Sequence, residues 1–299
     1  MQRTERFDSA DRIIAVGFWV NAVLMVFKLA AGYWGRSDAV FADGIESACD
    51  FVAIFTAMVA LKLSRQPFDA NHPYGHGRAE NLAALLVSLV IIATGCWILV
   101  NSVHAIINRD FQSPGVIALV AAFLTIIIKE WLYRFSRKTG ERLASPSLLA
   151  IAKDHRKDAI TSISTLVGVG GAFFGWRFMD PLAAGLTSFF ILHIGYQTFR
   201  ESVHDLMDGS APRDFITEIT RMAEEVDRVE HVHDIRARRS GQYMIVDLKL
   251  EMDPDMKLKE SHDVATEVKR VIFEKFPGVG DVMIHINPHD EKHDDLIRL

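Results

Sequence analysis

Cysteine is nearly missing from this chain. Its 299 residues hold two, Cys49 and Cys96, both inside apolar runs. That excludes a disulfide framework and a CxxC metal motif, and it leaves the redox compartment open. Positive charge is not in excess either. The formal net charge is −5 and no basic block stands against it, which argues against a nucleic-acid partner. The N-terminal MQRTERFDSADR lacks the hydrophobic core and small-residue cleavage site of a cleavable signal. No nucleophile–base pair and no phosphate-cradling glycine loop stands out, so an enzyme is not expected.

What the chain does contain is apolar length. Hydrophobic residues make up 49% of it, yet the mean hydropathy is only +0.15, because the apolar runs stop near Arg200 and the remainder is charged. Segments able to cross about 30 Å of hydrocarbon fall near Ile13–Trp34, Ala39–Leu63, Leu82–Ala105, Pro114–Tyr133, Leu148–Phe174 and Pro181–Thr198. The second and fifth carry acids and would be undercalled by a hydropathy window. Six spans put both termini on one side of the bilayer. The linkers on that side carry Lys62, Arg65 and Arg78, then Arg134, Arg137, Lys138 and Arg142, and the N-terminus adds Arg3, Arg6 and Arg12. The opposite loops offer only Arg36, Arg109 and Arg177. The bias places both termini in the cytoplasm. The expected setting is the inner (plasma) membrane or an internal membrane derived from it, with lipid around the spans.

From Pro212 the pattern changes. PRDFITEITRMAEEVDRV spaces Phe215, Ile216, Ile219, Met222 and Val226 as an amphipathic helix. MIVDLKLEM alternates as a strand, with Ile245, Asp247 and Lys249 on one face and Val246, Leu248 and Leu250 on the other. SHDVATEVKRVIFEKF reads as a second helix, DVMIHINP as a last strand, and His231–Arg238 as a further one. The α-β-β-α-β order predicts an α+β domain of ferredoxin-like kind. The expected division is a six-span transmembrane helical bundle over residues 1–208 and a cytoplasmic domain over 209–299.

Three clusters carry chemistry. ADGIESACD sets Asp43, Glu46 and Asp50 on one helical face of the second span, and Asp154 and Asp158 repeat the step of four in the fifth. A single acid near a helix end would be read as a headgroup contact. Two spaced pairs in separate spans point to a cation site, because an ionised carboxylate in a bilayer needs a partner or an ion. Carboxylates are hard ligands, suited to Mn²⁺, Mg²⁺ or Fe²⁺. Asp43 is either a relay on the access path or a helix-start acid, and Cys49 is expected to pack rather than ligate. His155 and Lys157 are expected to point away from the acids, toward the interface. In the loop DANHPYGHGRAE, Asp69, His72 and His76 offer a carboxylate and two imidazoles within eight residues, enough for a Zn²⁺-type site. Further on come His231, His233, His262, His285, His289 and His293 with Asp234, Asp290 and Asp294, for which surface histidines are the simpler reading.

Together these motifs resemble the cation diffusion facilitators, divalent-metal/proton antiporters. The resemblance rests on ADGIESACD, LSRQPFDANHPYGHGRAE, KDHRKDAITS, VHDIRARRSGQY, DLKLEMDP and FPGVGDVMIHINP, and covers nearly the whole chain. It implies a homodimer and a transport site at Glu46, Asp50, Asp154 and Asp158. Zinc-transporting members typically carry His or Asp where Glu46 stands and His where Asp154 stands. The D-H-x-x-D pattern is similar to manganese-type members, so Mn²⁺ or Fe²⁺ is expected ahead of Zn²⁺. The loop site carries over as Asp69, His72 and His76. In the cytoplasmic domain the family's ligands match at His233, His262 and His285 but depart at Lys249 and Asn287, which implies a lost or weakened site. Arg78 and Asp208 match a charged pair that in this family ties the third and sixth spans across the dimer. The function implied is efflux of a divalent cation against protons, with no organic cofactor, on the reading that no basic residue could neutralise the four acids permanently. The rival is a membrane-anchored metal sensor or scaffold whose cytoplasmic domain recruits partners.

Overall fold

The computed structural model describes residues 3–64, 69–143 and 146–289. Six long helices come first: α1 (Arg3–Trp34), α2 (Asp38–Ser64), α3 (Ala79–Asn108), α4 (Val116–Leu143), α5 (Pro146–Phe173) and α6 (Met179–Leu206). They lie on the six expected spans, with bounds that differ by one or two residues at some ends and by up to ten at the start of α1 and the end of α4. Ala15–Trp34, Ala79–Asn108 and Val116–Arg142 are long and apolar enough by composition to cross a membrane. The acid-bearing α2 and α5 do not pass that test, as expected, and neither does α6. On α3 the large apolar side chains of Leu86, Val90, Trp97 and Val100 are exposed, an arrangement suited to hydrocarbon rather than water.

The chain divides into two compact units. One combines the residues up to Thr56 with Leu86–Phe199; the other combines Ala57–Leu85 with the residues from Arg200 on. In the first unit, small residues let helices approach closely. A Cβ added to Gly44 would meet the backbone N of Leu29 at 2.9 Å, so glycine there permits α2 to seat against α1. The start of α2 is pinned by α6: Asp180 accepts hydrogen bonds from Ser37 Oγ and from the Asp38 amide, each at 2.6 Å. Ser37 Oγ in turn accepts from the Val40 amide, an N-cap that satisfies one of the free donors of the first turn.

In the second unit, α7 (Arg213–Glu224), β1 (His231–Ser240), β2 (Tyr243–Met252), α8 (Leu258–Lys275) and β3 (Val279–Pro288) follow the expected α-β-β-α-β order. The sheet runs β1-β2-β3, antiparallel between β1 and β2 and parallel between β2 and β3. Alternation in β2 works as read: Val246, Leu248, Leu250 and Met252 are buried, and they pack with Ile219 of α7 and Val268 and Ile272 of α8. Phe215, Ile216 and Val226 lie partly buried against the same core. The β1–β2 turn carries Gly241 at φ +61°, and a Cβ there would sit 2.6 Å from the carbonyl oxygen of Gly77. Two glycines thus allow the loop before α3 to run backbone-to-backbone against this turn.

Candidate metal centre

Glu46 and Asp50 on α2 and Asp154 and Asp158 on α5 all lie in the first unit. They interact electrostatically: Asp50 with both Asp154 and Asp158, and Glu46 with Asp158. Their exposure is graded. Asp50 and Asp154 are exposed, Asp158 is half-buried and Glu46 is buried. Glu46 Oε2 has no hydrogen-bond partner among the described residues, so an acceptor stands unused at the deep end. An unpaired buried acceptor is costly, which favours a cation or a proton there.

Two basic residues inside the bundle, unanticipated from the sequence, meet its acids, one of them at Asp158 of the four. Lys28 of α1 is buried, and its ammonium lies 3.0 Å from Asp43 and donates to Ser47 Oγ at 3.0 Å. Lys129 of α4 is also buried, and donates to Asp158 Oδ2 at 2.6 Å. A lysine inside an apolar run is expensive unless paired, so VLMVFKLAAG and LTIIIKEW held the signal for both partners. Asp43 is no first-turn acid, since α2 begins at Asp38. Beyond Lys28, it has Ser162 Oγ of α5 3.5 Å from both its oxygens.

His155 also departs from expectation. It is buried, 4% exposed, with neither ring nitrogen hydrogen-bonded among the described residues. A Cβ on Gly17 of α1 would lie 3.6 Å from its Nε2, so a small residue on α1 makes room for the ring. Packing against α1, rather than an interface, decides its place. Lys157 is exposed as expected.

The loop cluster assembles as read. Asp69, His72 and His76 bring one ligand atom each within 4.8 Å of one another, and among the described residues no other triad of potential ligands does so. Asp69 Oδ1 accepts from the amides of His72 (2.7 Å) and Asn71 (2.8 Å) and lies 3.3 Å from His72 Nδ1. His76 Nε2 is 3.5 Å from Asp69 Oδ2. The His72 amide, then the Asn71 amide, hold the Asp69 carboxyl below the usual carboxylate range. Gly75 at φ +81° turns the chain so that both imidazoles face the same acid.

Among the described residues, His233, His262 and His285 form no three-ligand cluster. His262 is largely exposed, with its Nδ1 4.0 Å from Asp263, and His285 stands opposite Lys249 in the β2–β3 register. His233 instead lies 2.9 Å from Glu251 Oε1, and His289 lies 2.9 Å from Glu251 Oε2, so one carboxylate is shared by two imidazoles. Glu251 was not singled out in the sequence. Its signal is position: it lies two residues beyond Lys249, on the same face of β2. Asn287 is buried with its Nδ2 unpartnered among the described residues. His231 pairs with Glu224 at 3.0 Å, and Asp234 with Arg236 at 3.2 Å. Asp290, His293, Asp294 and Arg65 lie outside the described residues. Arg78 pairs with Asp208 within the protomer, and Arg238 of β1 lies 3.2 Å from the same carboxylate.

A bundle of long apolar helices that holds carboxylates and buried lysines, followed by a small α+β domain, is an arrangement suited to a membrane protein that handles ions. Residues 14–207 match the family model described as the cation efflux transmembrane domain, and residues 211–289 match the cation efflux protein cytoplasmic domain. The chain belongs to the cation diffusion facilitator family of metal-efflux transporters. It is 33% identical over 296 residues to the manganese efflux system protein MneP of Bacillus subtilis, covering 97% of this chain and 99% of that protein. Identity is 30% over 292 residues to MneS of the same organism, covering 98% and 100%. With the magnetosome protein MamB of Paramagnetospirillum magneticum it is 29% over 281 residues, covering 94% and 95%.

Proposed function

We propose that this chain exports a divalent transition-metal cation, Mn²⁺ ahead of Fe²⁺ and Zn²⁺, in exchange for protons. The transport site of this reading is Glu46, Asp50, Asp154 and Asp158. The observation that carries it is the graded set of four carboxylates, exposed at Asp50 and Asp154 and buried at Glu46. Metal binding to carboxylates displaces protons, so cation and proton occupy one site in alternation. Alternating access then releases the metal on the far side. An all-oxygen set favours a hard cation, and the similarity to two manganese efflux proteins along nearly their full length supports Mn²⁺.

Asp50 lies one turn nearer the end of α2 than Glu46, and Asp154 one turn nearer the start of α5 than Asp158, so on each helix the exposed acid is the one closer to the side of the chain termini. With the Lys/Arg bias placing the termini in the cytoplasm, this is an inward-facing site loaded from the cytoplasm. Asp43 serves as the fixed counter-ion of Lys28 rather than as a relay. Asp69, His72 and His76 form an accessory metal site, and the division into transport and cytoplasmic domains falls at 208/209. The protein works as a homodimer in the plasma membrane or a derived internal membrane, and the Arg78–Asp208–Arg238 cluster fastens α3 and α6 to the sheet. A sensor role would need His233, His262 and His285 to converge, whereas His233 is drawn to Glu251 and His262 is largely exposed.

Reconstituted vesicles test the reading. Metal-driven proton flux and competition among Mn²⁺, Fe²⁺, Zn²⁺ and Cd²⁺ are measured for the native chain, Asp50→Ala and Asp158→Ala. Proton flux that survives either substitution sinks the site assignment.

A further inference from the structure

We propose that Lys129 is a tethered cation that competes with the transported metal for Asp158. The inference rests on the four-carboxylate reading above and adds a residue to it. Lys129 sits on α4, outside both acid-bearing helices, and is 5% exposed. Its Nζ donates to Asp158 Oδ2 at 2.6 Å, and it interacts electrostatically with Asp50 and Asp154 as well. One ammonium therefore binds one of the four carboxylates and lies within electrostatic reach of two more.

Two neighbours show that this charge belongs to the site. Glu130, next in the chain, cannot hold it, because its carboxylate is taken by Arg134 (2.7 Å) and by Arg156. Lys28 cannot replace it at Asp158, because Lys28 is held between Asp43 and Ser47. Among the described residues the bundle thus buries two lysines with separate duties: one locked to an acid behind the site, and one on an acid of the site itself.

A metal cannot take Asp158 while the ammonium stays. Both would compete for the same carboxylate, and a dication next to an ammonium in a partly buried site is repelled. Metal entry must move Lys129 off Asp158, and metal departure lets it return. Its flexible four-carbon stem, carrying a compact charge, is suited to that stroke. The lysine keeps the emptied site from holding metal too firmly, which is what an exporter requires at the release step. Lys129 is a positioning residue: it tunes affinity through Asp158.

The test uses purified full-length protein and Mn²⁺ alone, with binding measured in detergent and flux in liposomes. Lys129→Met removes the charge and keeps most of the volume. It should bind Mn²⁺ about tenfold more tightly, with slower turnover, whereas Lys129→Arg keeps the native affinity. Asp158→Asn should weaken binding, and Lys129→Met/Asp158→Asn should bind no more tightly than Asp158→Asn. Unchanged or weaker binding by a folded Lys129→Met overturns the proposal, and so does tighter binding that persists in the double variant. Should the Met variant not fold, acylation of Lys129 in the native protein, read by mass spectrometry, decides. Mn²⁺ should raise the labelling, and no change or protection overturns the proposal. Native binding and transport by Asp158→Asn would instead sink the four-carboxylate reading itself.

Discussion

The loop triad and the membrane acids are both sets of potential metal ligands, and they are built in opposite ways. Asp69, His72 and His76 come from one turn of loop, held by amides of their own segment, and Asp69 and His72 are exposed. Nothing distant is needed to form that cluster. The acids of α2 and α5 come from remote parts of the chain, and their balance depends on two further helices that supply Lys28 and Lys129. In water an acid can stand alone. In a bilayer each buried charge must be answered by another, so the membrane site is a network rather than a ligand list.

Four substitutions break or sharpen that contrast, in falling order of expected effect. On the proposed function, Asp158→Asn should cut Mn²⁺ transport at least about a hundredfold, since losing a direct ligand of the proposed site exceeds the ~10–100-fold cost of losing a supporting group. Vesicle flux reads it, and a near-native rate would make the membrane site no more demanding than the loop. Lys28→Met should destabilise the protein by about 3–5 kcal/mol, because it leaves Asp43 buried and unpaired. Lys28→Met/Asp43→Asn should recover most of that loss in denaturation of the detergent-solubilised chain. A double variant as unstable as the single one would show that the pair is not a closed unit.

His72→Ala should weaken Zn²⁺ binding at the loop about tenfold, or ~1.4 kcal/mol, while Mn²⁺ flux stays within a few-fold of native. Parallel loss of both would join the two regions functionally. The smallest effect belongs to Glu251→Gln. Hydrogen bonds from His289, then His233, hold the Glu251 carboxyl below the usual range. A depressed folded value stabilises the fold above the unfolded value of about 4.3 and loses that contribution as the pH falls through the lowered one. The native chain should therefore lose thermal stability below about pH 4.3 more steeply than Glu251→Gln, by less than about 1 kcal/mol for a surface pair. Identical acid limbs would show that the shared carboxylate contributes nothing.

Much of the fold was legible because its signals are periodic. The alternation in β2 and the 3.6-residue spacing in α7 named the buried faces correctly, since the core of the cytoplasmic unit needs only a pattern and an order. The acids and the loop triad were legible because carboxylates in apolar runs, and ligands a turn apart, are local anomalies. Lys28 and Lys129 were anomalies of the same kind, but the sequence does not say which acid each lysine meets. His155 was misplaced because helical phase predicts which residues share a face, and not which face a neighbouring helix covers.

The sequence by itself determined six spans, the small α+β domain, and which side chains could meet a cation. Those depend on hydrophobic periodicity and on the cost of charge in hydrocarbon, both properties of short segments. Tertiary structure alone decided that Asp43 belongs to Lys28, that Lys129 occupies Asp158, and that Glu251 gathers two of the cytoplasmic histidines. Pairings between distant residues follow from how helices and strands pack, and only the folded chain carries that information.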